Sequence, residues 1–298
     1  MRTKTVIISV ITILALGSAW VLAGSRLAPQ MPSAAVRPAQ SSTIAQSNNP
    51  NATTSVSVTP TVSTPTIAPI VIAVSTSTVV TITIQITDPG LISRSVNLLR
   101  PGATGTQPII LGIMHDDGLN GDAVAGDHIY TLLVPFNEAT AGQIQLQVSA
   151  AFQGLLKRVM SSIVTLGVWN TVSNPTLGVQ FLVPPTMAVT SVTNSTALTL
   201  YAHDTNEEFP GGITITRSSL SLSALLARIS QTLTLTTQTT TIFNGNSWMT
   251  NTYTDPTSGQ QFIDAFAVVN GVVYQVGGLA NPSVVNLLPT VLSTFQFL

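Results

Sequence analysis

The chain has 298 residues, of which 7% are Lys, Arg, Asp or Glu and none is Cys, and its formal net charge is -1. Globular chains carry about 25% charged residues, so the solvated faces here must be built from hydroxyls and amides rather than ion pairs. A near-neutral chain with no basic run argues against nucleic acid as a partner, and the absence of cysteine removes disulfides, thiolate metal sites and a cysteine nucleophile.

Arg2 and Lys4 precede an uncharged stretch from Thr5 to Ser25, the pattern of an export signal. Val21 and Ala23 satisfy the small-residue rule for a cut before Gly24, which makes 1–23 a signal peptide. The same stretch approaches the ~20 apolar residues that span a bilayer, so an uncleaved signal anchor is the competing reading. Under either one, the positive flank stays inside and the rest of the chain is extracytoplasmic, secreted or membrane-anchored. Residues 24–67 are rich in Pro, Ser and Thr, and from Leu27 to Pro69 the only charge is Arg37. That composition predicts a linker holding the body away from a membrane.

Residues 68–170 read as a first folded body. Val80 to Ile86 and Gln143 to Val148 alternate apolar with Thr or Gln, the signature of half-buried strands. Ser95 to Leu99, Pro108 to Met114, Ile129 to Pro135 and Ser161 to Trp169 are further short segments bounded by turn residues. Six or seven such strands predict an all-β, antiparallel immunoglobulin-like sandwich.

Four of the eleven acidic residues fall between His115 and His128. With Asp116 as position 1 of a twelve-residue calcium loop, Asn120 falls at 5, Gly121 at 6, Asp122 at 7 and Asp127 at 12. Asp116, Asn120, Asp122 and Asp127 are therefore the candidate Ca2+ ligands. Gly118 at position 3 and Asp127 in place of a bidentate Glu depart from the pattern. The alternative is a turn whose carboxylates cap backbone amides. The string DDGLNGDAVAGDHIYT resembles the acidic loop signature of bacterial secreted immunoglobulin-like domains, with His128 where that family often has Gly. This resemblance implies a surface or spacer module and no shared chemistry.

Residues 175–298 change pattern. Val179 to Pro185, Leu198 to Ala202, Ile213 to Arg217, Ser247 to Thr254, Gln261 to Val269 and Val272 to Val276 read as strands, the last two joined by the hairpin dipeptide Asn270-Gly271. One helix is capped by Ser221 or Ser223 and carries Leu222, Leu225, Leu226, Ile229 and Leu233 on one stripe. Asn281 caps a second helix that begins at Pro282, and Pro289 inside it predicts a kink or break. The order predicts an α+β domain, an antiparallel sheet covered by helices. FLVPP, NGVVYQVGG and LSTFQF resemble the PsbP-like fold, which implies an adaptor or assembly role.

His115, His128 and His203 each neighbour an aspartate, but adjacent residues on a strand point to opposite faces. Trp169, Trp248 and Tyr274 suggest either a sugar platform or core packing. The chain is expected to be a non-enzymatic, exported envelope or surface protein that binds an extracellular protein or polymer and touches membrane only through its N-terminus. The alternative is a secreted hydrolase using carboxylates among Asp204, Glu207 and Glu208.

Overall fold

A computed structural model of the chain describes residues 60–298 except 103–105, 195–196 and 205–211, and describes 191–194 and 197–204 by backbone alone. The segment read as signal, most of the linker, Glu207, Glu208 and the side chain of Asp204 lie outside the described residues.

The first half carries β1 (Thr66–Ala68), β2 (Val71–Ala73), β3 (Thr78–Gln85), β4 (Asn97–Arg100), β5 (Ile109–Ile113), β6 (Ile129–Phe136), β7 (Gly142–Ala150), β8 (Val159–Met160) and β9 (Val164–Asn174). The first strand thus begins inside the stretch read as linker, where Pro65 is already buried. Strands β1, β3 and β6 make one sheet, while β9, β7, β4 and β5 run side by side in another, with β2 parallel to β9 and β8 paired to β7. Period-2 alternation gives each sheet one dry face: Val80, Ile82 and Ile84 of β3 share a cluster with Ile144, Leu146 and Val148 of β7 and Leu166 and Val168 of β9. The arrangement is sandwich-like.

The second half carries β10 (Val179–Val183), β11 (Met187–Asn194), β12 (Ala197–Asp204), β13 (Ile213–Ser218), α1 (Leu222–Ile229), β14 (Thr234–Phe243), β15 (Asn246–Thr254), β16 (Gln261–Val269), β17 (Val272–Leu279), α2 (Pro282–Thr294) and β18 (Gln296–Phe297). Seven of these strands form an antiparallel sheet in the order β11-β12-β13-β17-β16-β15-β14. Asn270 and Gly271 take φ of 51° and 77°, the left-handed pair that a tight hairpin turn demands. Helix α2 fills one face of this sheet, placing Val284, Leu288, Val291 and Leu292 in a cluster with Trp248, Ala265, Tyr274 and Val276. Helix α1 lies on the other face, its leucines against Tyr253, Phe266 and Val273.

Helix α2 runs through Pro289 without the expected break. Pro289 is exposed while Leu288 and Val291 beside it are buried. The tertiary packing of the apolar stripe outweighs the hydrogen bond that the proline removes.

Strand β9 joins the two halves. Its residues Val164 to Val168 pair with β7, and Asn170 to Asn174 pair with β10. Strands β10 and β18 extend the same sheet, and Val179, Phe181 and Val183 of β10 pack in the cluster that contains α2. The described chain is mostly antiparallel β-sheet with two helices. Among the described residues no helix is long and apolar enough to cross a membrane.

Candidate cation loop and a buried polar cluster

The acidic loop connects β5 to β6. Its ends are clamped where His115 and Thr131 exchange backbone hydrogen bonds of 2.9 and 2.7 Å. Inside the clamp the chain turns repeatedly, and Gly118, Asn120, Gly121, Gly126 and His128 all have positive φ. Gly121 is required twice over: its φ is 96°, and a Cβ there would lie 2.7 Å from the Leu133 side chain.

The carboxylates are tied to the loop's own backbone. Asp116 accepts from the amides of Gly126 at 2.8 Å and His128 at 3.2 Å, Asp122 from Gly118 at 2.6 Å, and Asp127 from Ile129 at 2.9 Å. These are the amide-capping contacts of the turn reading. They also aim three side chains at one point, since oxygens of Asp116, Asp122 and Asp127 all lie within 4.8 Å of one another. Asp122 is buried, 7% exposed. The fourth candidate, Asn120, is exposed in the same loop with a φ of 53°. Burial, and after it the charge of Asp116, pushes the Tyr130 phenol above its ordinary pKa. His115 sits 3.5 Å from Asp117, which stands apart from the converging three. The donor set is all oxygen and anionic, which suits a hard cation such as calcium.

A second polar cluster lies on the sheet face beneath α1. Asn251 on β15, Asp264 on β16 and Gly277 on β17 stand directly opposite one another. Burial pushes the Asp264 carboxyl up to about 6, against the opposing pull of a hydrogen bond from Gln275. Asn251 is 2% exposed; its amide nitrogen donates to the Tyr253 hydroxyl at 2.7 Å while its Oδ1 has no partner. A cavity of about 250 Å³ opens beside Asn251, Tyr253, Leu226 and Gln238. Sequence reasoning missed Asp264, although a lone carboxylate within the apolar run Phe262 to Val269 was the available signal.

Of the two readings of the aromatics, core packing holds: Trp248 and Tyr274 are 0% and 6% exposed in the core beside α2, and Trp169 is partly buried against the same cluster. Their large apolar surfaces are worth more buried than displayed. The fold and the loop define a class no narrower than an antiparallel β protein with an acidic loop at one turn. The chain matches no protein-family model, and no curated protein matches it.

Proposed function

We propose that this chain is an exported, non-enzymatic binding or spacer protein of the cell envelope whose first sandwich is stiffened by calcium. The convergence of Asp116, Asp122 and Asp127 within 4.8 Å carries the reading. Carboxylates held this close repel one another, and a divalent cation removes that cost. Asp116, Asp122 and Asp127 would hold the ion, with Asn120 and loop carbonyls as further oxygens; the ion supplies charge neutralisation and no reaction step. Extracytoplasmic placement rests on the export pattern of residues 1–23. The partner is an extracellular protein or polymer.

Thermal unfolding of the full chain in millimolar calcium and in chelator tests this reading. Ligand linkage predicts a gain of about 3 kcal/mol at a hundredfold excess over Kd, read as a rise of several degrees that is absent from Asp116→Ala. Equal melting temperatures in calcium and chelator would return the loop to plain turn chemistry.

A further inference from the structure

Strand β14 is an exposed edge of the described sheet. It ends the seven-stranded sheet and pairs with β15 alone. All of its residues from Thr234 to Ile242 are exposed, and Phe243 is partly buried. No Lys, Arg, Asp or Glu occurs between Arg228 and Asp255, and β14 has no proline. Proteins ordinarily guard a long edge with charge, proline or a covering loop. Among the described residues no strand pairs with the outer side of β14.

The one irregularity in β14 is informative. Its pairing with β15 slips between Leu235 and Thr237, so one extra residue is inserted there. Leu235 stands opposite Tyr253, Gln238 opposite Asn251, Thr240 opposite Met249 and Ile242 opposite Ser247. Those four β15 residues alternate along one strand and share a face, so the slip puts Leu235 on the same face as Ile242. These two are the exposed large apolar side chains of the strand, at 49% and 73% exposure.

We infer that β14 pairs antiparallel with β14 of a second copy of this chain about a two-fold axis at Thr239, making one continuous sheet. An isologous contact requires a surface complementary to itself, and the slip supplies it. With Thr239 opposite Thr239 of the partner subunit, Gln238 faces Thr240 of the partner subunit, and Leu235 faces Ile242 of the partner subunit on both sides of the axis. Both exposed apolar side chains find an apolar mate. The uncharged run from 229 to 254 places no like charges across the axis, where they would oppose pairing. Without the inserted residue, Leu235 and Ile242 would point to opposite faces and could not meet in this register.

The absence of native cysteine makes the test direct. Thr239→Cys in the full chain, treated with a short bis-maleimide, is expected to give a covalent dimer. Thr257→Cys, in the exposed turn after β15, is expected to give none. Thr239→Lys sets two ammonium groups face to face on the axis and is expected to halve the mass in sedimentation while leaving the melting temperature within a degree or two. Crosslinking at Thr239 no greater than at Thr257, or a dimer whose mass Thr239→Lys does not change, overturns the proposal. Protection, in a monomeric chain, of the β14 amides that point away from β15 also overturns it. If Thr239→Lys fails to fold, the crosslinking pair alone decides.

Discussion

The Asp264 carboxyl occupies the space above the Cα of Gly277 on the neighbouring strand: a Cβ on Gly277 would run into Asp264 Oδ1 and into the carbonyl oxygen of Ile263. Gly277→Ala is therefore expected to cost about 1 to 3 kcal/mol by overpacking, measured by urea unfolding. Removing the carboxyl as well, in the Gly277→Ala/Asp264→Ala double variant, should recover only part of the loss, because the Ile263 carbonyl is backbone and stays. Wild-type stability in Gly277→Ala would show that the sheet yields at this point.

Asp264 also makes stability depend on pH. Its folded carboxyl is pushed up to about 6 from an ordinary 3.8, so the native state holds the proton more tightly than the unfolded chain. Its contribution is fully present below pH ~4, declines as pH rises to ~6, and is gone above that. Asp264→Asn keeps the shape without the charge. At pH ~7 it should be more stable than wild type by on the order of 3 kcal/mol, with the difference vanishing near pH ~4. Since other carboxylates titrate in both proteins, the difference between the two curves isolates this residue. A constant difference across the range would refute the assignment.

Within the acidic loop, charge and capping can be separated. Asp116→Ala leaves the Gly126 and His128 amides without their acceptor and should cost about 1 kcal/mol even in chelator. Asp127→Asn retains an acceptor for Ile129 while removing a charge from the converging three. Its stability in chelator should match or slightly exceed wild type, and its calcium increment should be lost. An intact increment in Asp127→Asn would take Asp127 out of the ligand set.

The two helix caps should differ in reach. Asn281 accepts from the Val284 amide at 2.8 Å and begins a helix with four buried residues, whereas Ser221 begins a helix with none. Asn281→Ala is expected to lower global stability by about 1 kcal/mol. Ser221→Ala should chiefly speed hydrogen exchange in α1, with a smaller change in the global midpoint. Equal global losses would mean that α1 is more tightly coupled to the sheet than its burial indicates.

What the sequence determined by itself is local. Alternation placed β3 and β7, turn-bounded apolar runs placed β6 and β16, Asn270-Gly271 set the hairpin turn, and Asn281 and the pair Ser221/Ser223 marked the two helix starts to within a few residues. Each of these rests on neighbours within about four residues, where backbone preference and side-chain spacing suffice. Strand β14 left no such trace, because TLTTQTTTIF has little apolar alternation and is a strand through its pairing with β15. Tertiary structure alone decided that β9 serves both halves, that α2 survives Pro289 and that the Asp264 carboxyl is drawn far enough from water to raise its pKa. Those outcomes depend on segments distant in the chain meeting in a particular register. Burial and electrostatic fields are properties of that assembled arrangement, which no local window of residues contains.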